Sequence, residues 1–298
     1  MRLRLTHAQA IMLMVAVTLM WSIAGVVARQ LEFARSFEVT FWRSFFTLLS
    51  LLVILPLVQG GSTLRRLRQG SRVLWFSGVC WSVMFTAFMV ALTLTTVANV
   101  LVTMATGPLL TALVARIFIG HRLPVRTWLA IVAAGAGIVY MFGAQFTLDA
   151  GGRHTLGMAV ALCVPVAGAI NWTLTQHSHA QGLGVDLTPA VMVGAFISAV
   201  VTLPLALPFQ ASASDLGWLG LLGLVQLAIP CVLSVACAKV LKAPELSLLA
   251  LLEVVFGILL AWVGAGEVPG PTVLTGGALV LGALALNELS GWKSRRSP

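Results

Sequence analysis

Charged residues are scarce in this chain of 298 residues. Asp, Glu, Lys and Arg make up 9% of it, whereas 59% of the residues are hydrophobic and the mean hydropathy is +1.01. Soluble domains carry about 25% charged residues. The composition therefore excludes a soluble globular protein and indicates a protein whose solvent is a lipid bilayer.

Catalytic and nucleotide-binding patterns are also absent. The chain has no GxxxxGK[ST], HExxH or GxSxG sequence and no pair of Asp residues within its apolar stretches. ATP-driven transport by this chain alone and metal-dependent or serine hydrolysis are therefore unsupported. We expect no catalytic residue, no cofactor, no nucleotide and no metal, and we place His177 and His179 in a polar loop.

Cysteine is rare as well. The four residues of this type lie within apolar stretches and show no CxxC spacing. We interpret Cys80, Cys163, Cys231 and Cys237 as small apolar packing residues.

Long apolar stretches fill most of the sequence. At ~1.5 Å rise per residue, about 20 apolar residues cross a hydrocarbon core ~30 Å thick. The stretches predict an all-α membrane protein with ten transmembrane helices, at residues 10–28, 39–58, 73–95, 97–119, 127–145, 156–176, 189–208, 216–238, 246–265 and 272–290.

Lys and Arg are distributed unequally between the two sides that these spans define. Fourteen of the 18 share one side, three lie on the other, and Arg43 lies within a span. Cytoplasmic loops carry the excess of Lys and Arg, so both the N and the C termini are predicted to be cytoplasmic. The larger set is Arg2, Arg4, Arg65, Arg66, Arg68, Arg72, Arg116, Arg122, Arg126, Lys239, Lys242, Lys293, Arg295 and Arg296, and the smaller set is Arg29, Arg35 and Arg153.

The net charge of +9 follows from these topology signals. No basic stripe is interleaved with aromatic residues, so we expect no nucleic-acid partner. The partners we expect are the lipid bilayer and a small-molecule substrate. The 15 Arg and 3 Lys residues, together with short loops, suggest the inner (plasma) membrane of a bacterium. The oligomeric state is left open.

The ten spans divide into five and five at a polar break over residues 145–157. An odd number of spans in each part gives the second part the opposite orientation. We therefore predict two inverted five-helix repeats, residues 1–148 and 149–298. Aligning residues 107–123 with 253–269 supports this division. Small residues in AAGAG (133–137) and GGALVLGA (276–283) predict close helix packing, either within the chain or between subunits.

A family resemblance is carried by two runs of sequence. ANVLVTMATGPLLTALVARIFIGHRLP (98–124) and ELSLLALLEVVFGILLAWVGAGEVP (245–269) resemble the two signature regions of EamA-type members of the drug/metabolite transporter (DMT) superfamily. Trp21 and Arg43 also resemble recurring family positions. Size and helix number are most similar to the YddG-like exporters of aromatic and other amino acids. The resemblance implies a ten-helix basket, a central cavity between the halves, and export by alternating access.

The chain departs from this family pattern at two positions. His121 stands where the family usually has Glu after Gly120. Val254 replaces the usual Pro after Glu253, which puts a kink of the ninth helix in doubt.

Glu253 is the most informative ionisable residue. It lies about eight residues into its span, ~12 Å deep, where an unpaired carboxylate is expensive. Glu253 either binds a substrate amine or carries a proton, or it is a buried structural hydrogen-bond partner. Arg43, nearer the end of its span, either snorkels or pairs structurally, or it binds a substrate carboxylate.

Polar residues next to proline form a second group of candidates. Each residue in this group either lines a cavity or acts as interhelical glue. The substrate-binding candidates are Thr103, Asn171 and Gln226, and the predicted hinges or kinks are Pro108, Pro165 and Pro230.

Aromatic residues deep within spans form a third group. Trp21 and Trp81 lie well inside their spans, and Trp81, Met84, Phe85 and Phe88 share one helical face. This face is either a lipid-facing or packing stripe, or a wall of Met and aromatic side chains that adapts to apolar substrates.

The function predicted from these features is a secondary transporter that exports small metabolites, foremost aromatic and other neutral amino acids, from the cytoplasm. The alternatives are an exporter of cationic drugs or other metabolites, a channel, and an integral-membrane enzyme acting on lipid. We expect the protein not to be an enzyme, since no nucleophile and base lie at matching depth.

Overall fold

The computed structural model describes residues 5–34, 36–59, 70–120, 124–148, 152–180, 187–237, 240–241 and 243–296. Helices account for nearly all of these residues, and none of them forms a strand. The helices are α1 His7–Ala28, α2 Ser36–Gln59, α3 Arg72–Leu94, α4 Val97–Met104, α5 Gly107–Ile119, α6 Val125–Leu148, α7 Arg153–Ala180, α8 Thr188–Ala206, α9 Ala213–Leu221, α10 Ile229–Cys237, α11 Ala243–Ala265 and α12 Pro271–Arg296, with a π-helical segment, Leu222–Ala228, between α9 and α10.

Some predicted features lie outside the described residues. These are His121 and the basic residues Arg2, Arg4, Arg35, Arg65, Arg66, Arg68, Arg122, Lys239 and Lys242.

The predicted spans lie within a few residues of the observed helices, because local capping and apolar length set their ends. A capping box at Thr6 and Gln9 begins α1, and the Ser71 side chain caps α3. Gly120 and Gly266, with φ of +72° and +66°, follow α5 and α11. Positive φ favours glycine, which explains why these helices end there.

Seven helical stretches are long and apolar enough to cross a membrane, judged by length and composition: His7–Ala28, Phe37–Val58, Arg72–Leu94, Val97–Phe118, Arg153–Leu174, Thr188–Ala206 and Ala213–Ser234. Three further apolar stretches of 10–17 residues lie in α6, α11 and α12. A count of ten spans therefore stays a prediction.

Two spans depart from regular α-helix geometry next to a proline, which has no backbone N–H donor. Pro108 cannot donate to the carbonyl of Met104, and the helix breaks at Ala105 and Thr106. Pro230 likewise cannot donate to the carbonyl of Gln226, and the π-helical segment immediately precedes it. The helix is broken at residues 105–106, whereas a π-helical segment and not a break precedes Pro230.

Helices from the two parts of the chain pack against each other. The α3 helix packs on α7 and α8, α1 on α11, α2 on α8, and α6 on α12. The last of these contacts is very close, since a Cβ built on Gly137 would lie 2.8 Å from the Gly276 carbonyl oxygen. The small residues of α6 and α12 thus bring together helices of the same chain.

Candidate functional site

A cavity of about 110 Å³ lies between the broken α4–α5 helix and α11. Glu253 is the one ionisable residue among those that line it. The lining residues are Leu101, Met104, Ala105, Pro108, Ala250, Glu253 and Val254. The cavity is thus a mostly apolar chamber with a single carboxyl group on its wall.

Glu253 lies near the middle of α11, ~15 Å from Ala243 and ~18 Å from Ala265 by helix rise. Its side chain is half-buried, and no hydrogen bond or ion pair to its carboxylate is found among the described residues. Its backbone carbonyl accepts a hydrogen bond from Ser22 Oγ at 3.0 Å, which ties α11 to α1. The backbone of Glu253 is thus hydrogen-bonded to α1, whereas its side chain lies at the cavity wall.

The N terminus of α5 reaches the same cavity through Pro108. Thr106 precedes this helix but does not cap it, because its Oγ1 donates to the Thr103 carbonyl at 2.7 Å. Helix N termini carry a partial positive charge and attract anions. A carboxyl group and a positive helix end therefore border one chamber.

Arg43 is built into the bundle rather than into the cavity wall. It is 2% exposed, and its Nε donates to Gln226 Oε1 at 3.2 Å. Its Nη1 donates to the Phe85 carbonyl at 3.4 Å, and its guanidinium lies over the rings of Phe85 and Phe88, 5.8 and 5.4 Å from their centroids. The side chain packs inward between helices, which fits structural pairing and not snorkelling.

Gln226 extends this contact to α1. Its Nε2 donates to the Trp21 carbonyl at 3.5 Å, and its side chain is 3% exposed. The Trp21 ring is half-buried and packs in a cluster that includes Ala250 of the cavity wall. Neither Gln226 nor Trp21 is among the described residues that line the cavity.

The predicted face of α3 points into the protein. Phe85 is 3% exposed, whereas Trp75, Phe76, Val79 and Val83 on the opposite face are 39–51% exposed. This face of α3 therefore packs inside the protein, as the packing interpretation expects.

The same face forms an aromatic contact with α7. The Trp81 ring lies 5.5 Å from Phe85 and 6.3 Å from Trp172, and Met84 packs on Gly168. None of Trp81, Met84 and Phe85 lines the cavity.

Two predicted polar candidates are engaged in structural hydrogen bonds. Thr103 Oγ1 donates to the Asn99 carbonyl at 2.7 Å, and Asn171 Oδ1 accepts from Ser77 Oγ at 2.6 Å. Both residues are at most 2% exposed. The Ser77–Asn171 bond joins α3 and α7, as the interhelical interpretation predicts, whereas the Thr103 bond lies within α4.

The three predicted prolines occupy different settings. Pro108 lines the cavity, and Pro230 follows the π-helical segment. Pro165 lies inside the continuous α7 and faces the break, since a Cβ built on Gly107 would lie 3.8 Å from its Cβ. Two of these prolines thus lie at or beside the α4–α5 break.

Sequence reasoning missed five apolar residues of the cavity wall: Leu101, Met104, Ala105, Ala250 and Val254. The alignment of 107–123 with 253–269 carried one signal for Val254. It pairs Val254 with Pro108 and Glu253 with Gly107, so two predicted candidates pointed to this region of the ninth span. Val254 also agrees with the doubt about a kink, since α11 runs without a break through this position.

Comparison with known proteins agrees with this architecture. The profile of the EamA-like transporter family matches residues 8–143, which lie in the first half of the chain. The matched region overlaps four of the seven helical stretches that are long and apolar enough to cross a membrane.

Among solved structures, eleven chains match. One is a crystal structure of a protein with 18% sequence identity and a TM-score of 0.61, covering 97% of this chain and 99% of that one. This similarity shows a shared fold over almost the whole length. No curated protein matches the sequence.

Proposed function

We propose that this protein is a secondary transporter that exports small neutral amino acids from the cytoplasm by alternating access. The observation that carries the proposal is Glu253, a carboxylate without a described partner in an apolar cavity near the middle of a membrane helix. Intramembrane ionisable residues mark substrate or ion pathways.

The cavity offers complementary groups to a zwitterion. The Glu253 carboxylate binds the substrate ammonium group, and the N terminus of α5 at Pro108 faces the substrate carboxylate. Leu101 and Met104 contact the substrate side chain. Each of these groups belongs to α4, α5 or α11, so a relative movement of these helices opens or closes the site.

The cavity volume favours small substrates. At about 110 Å³ it is well below the ~300–1,000 Å³ typical of ligand pockets. An aromatic amino acid requires a larger chamber. We therefore expect small aliphatic amino acids to be the better substrates of this conformation.

We further propose that the chain contains ten spans, arranged as inverted repeats over residues 1–148 and 149–298, with both termini in the cytoplasm of a bacterium. The packing supports this arrangement. An inverted repeat relates each span to the span five positions later, so that α1 corresponds to α7, α2 to α8, α4/α5 to α11, and α6 to α12. The contact between α1 and α11 then corresponds to the contact between α7 and α4/α5, and both contacts are observed. The α2–α8 and α6–α12 contacts each join two corresponding spans. The cavity lies between the fourth and ninth spans, which this exchange relates.

Transport by the purified protein in liposomes tests the proposal. Vesicles preloaded with unlabelled alanine are expected to accumulate labelled alanine by counterflow, faster than vesicles without protein. Repeating the assay with and without an imposed pH gradient determines whether transport is coupled to protons. Absence of counterflow for alanine, valine and leucine would refute the amino-acid assignment.

A second candidate, export of organic cations, is favoured by the burial of Arg43. Its guanidinium is bonded to Gln226 and the Phe85 carbonyl, so Glu253 is the one charged group on the described cavity wall. Counterflow of tetramethylammonium without counterflow of alanine would select this function over amino-acid export.

A further inference from the structure

A polar cluster joins the two parts of the chain at the end of the bundle where α1, α3 and α11 end. Arg29 terminates α1, and Glu267 follows α11 directly after Gly266. Arg29 Nε donates to Glu267 Oε2 at 2.9 Å, across 238 residues of sequence. We call Arg29, Glu267 and the α3–α4 turn over residues 92–97 the clasp.

The remaining polar atoms of this ion pair hold the α3–α4 turn. Arg29 Nη1 donates to the Leu92 carbonyl at 2.7 Å, and Nη2 donates to the Thr95 carbonyl at 2.8 Å. The other Glu267 oxygen, Oε1, accepts the Val97 backbone N–H. One ion pair therefore immobilises the start of α4 against the ends of α1 and α11.

The clasp is both specific and accessible. Charge-assisted hydrogen bonds are the stronger ones, and Arg29 makes three of them. The side chains of Arg29 and Glu267 are nevertheless 30% and 16% exposed, so water reaches the bonds when they open. Partial exposure of both side chains is expected for an ion pair that opens and closes during a transport cycle.

The clasp adjoins α4 and α11, two of the helices that line the cavity. Val97 begins α4, and Leu101 of the cavity wall follows one turn later. Glu253 lies ~18 Å from the end of α11 at Ala265 by helix rise, and Glu267 follows two residues later.

Direct helix contact fills the interval between the clasp and the cavity. A Cβ built on Gly257 would lie 2.4 Å from Leu101 Cδ1. The helices α4 and α11 are thus in close contact at Leu101 and Gly257, between the clasp and Glu253.

We infer that the clasp is the latch of the outer gate, and that its opening lets α4 separate from α11 and connects the Glu253 cavity with the outside. This inference rests on the proposed function for its sidedness and its substrate. The ion pair closes the gate, the Leu101–Gly257 contact seals it, and release of the Val97 N–H frees the α4 start.

Thiol accessibility measures the gate without relying on transport. Met104→Cys is introduced on the cavity wall after Cys80, Cys163, Cys231 and Cys237 have been replaced by Ala. A membrane-impermeant methanethiosulfonate reagent is then added outside sealed vesicles. The parent is the protein that carries Met104→Cys and the four Cys→Ala changes. Its labelling rate is compared with those after adding Glu267→Gln or the matched control Glu32→Gln. The Glu32 side chain is exposed at the same end of the bundle.

Glu267→Gln keeps the side-chain shape but removes the charge from Arg29. We expect labelling of Met104→Cys to be at least ~10-fold faster than in the parent, a shift that corresponds to about 1.4 kcal/mol, and unchanged in Glu32→Gln. Arg29→Lys, which keeps the charge but lacks the fork of donors, is expected to speed labelling as well.

Equal labelling rates in the parent and in both clasp variants would overturn the gate. If clasp variants accelerate labelling while the parent fails to move any amino acid, the gate stands and the substrate assignment falls. If the parent moves alanine and the clasp variants do not change labelling, the transport function stands and the gate falls.

Discussion

Replacing Glu253 by Gln removes the charge from the cavity and keeps the size of the side chain. The described structure gives the carboxylate no hydrogen-bond partner, whereas the backbone carbonyl of the same residue is bonded to Ser22. A substrate-binding role and a structural role therefore predict opposite results for binding and stability.

The expected loss of binding follows from the bond that we propose between Glu253 and the substrate ammonium group. Hydrogen bonds involving charged groups contribute about 1.5–3 kcal/mol, which is about 10- to 150-fold in affinity. Glu253→Gln is expected to weaken alanine binding by this amount. Its thermal unfolding temperature is expected to stay the same or to rise, because no described bond is lost and an unpaired charge leaves the bilayer.

Glu38 provides the matched control for stability. It is fully buried, and its two carboxylate oxygens accept hydrogen bonds from the backbone N–H groups of Gln210 and Ala211 at 2.8–3.0 Å. Glu38→Gln places an amide N–H against these donors. We expect it to lower the free energy of unfolding by about 1–3 kcal/mol and to spare binding.

Both quantities are measurable on purified protein in detergent. Equilibrium binding of labelled alanine gives the affinity. Thermal unfolding is followed with a thiol-reactive fluorescent dye, since Cys80, Cys231 and Cys237 are buried and become reactive when the protein unfolds. The reasoning is refuted if Glu253→Gln binds alanine as well as the parent, or if it unfolds as early as Glu38→Gln.

Three further predictions concern packing and the cavity. Gly276→Ala is expected to lower the free energy of unfolding by about 1–3 kcal/mol, because its Cβ would lie 2.4 Å from Met141 Cγ. A Cβ at Gly282 in the same helix meets nothing within 4 Å, so Gly282→Ala should be neutral or stabilising. Thermal unfolding of the two variants tests this difference. Arg43→Lys should lower the unfolding temperature, since it loses the bond to Gln226 and the planar contact with the aromatic rings; unchanged unfolding with lost transport would instead assign Arg43 to the substrate. Met104→Ala should enlarge the cavity and raise leucine counterflow several-fold relative to alanine, and an unchanged ratio would place the side-chain pocket elsewhere.

Helix positions were predictable from the sequence because they depend on local and one-dimensional properties. The apolar stretch 156–176 needs only its length to cross a bilayer, and it lies within the observed α7. Glu253 stood out for the same reason, since a carboxylate in a long apolar run is conspicuous without any contact information.

The environments of the other candidates were not predictable, because they depend on partners distant in sequence. Gln226 is occupied by Arg43 and by the Trp21 carbonyl, residues about 180 and 205 positions earlier in the chain. Ser77 likewise occupies Asn171. A polar residue beside a proline looks the same in sequence whether it faces a substrate or another helix.

By itself, the sequence determined that the chain lies in a membrane, where its helices run and which acidic residue is exceptional, because hydropathy and charge act residue by residue. The charge asymmetry also predicts an orientation. Only the tertiary structure decided that Arg43 is buried among partners, that Gly137 and Gly276 meet within one chain, and that Arg29 and Glu267 clasp the two halves together. These outcomes depend on which helices become neighbours, and helix pairing is a property of packing in three dimensions.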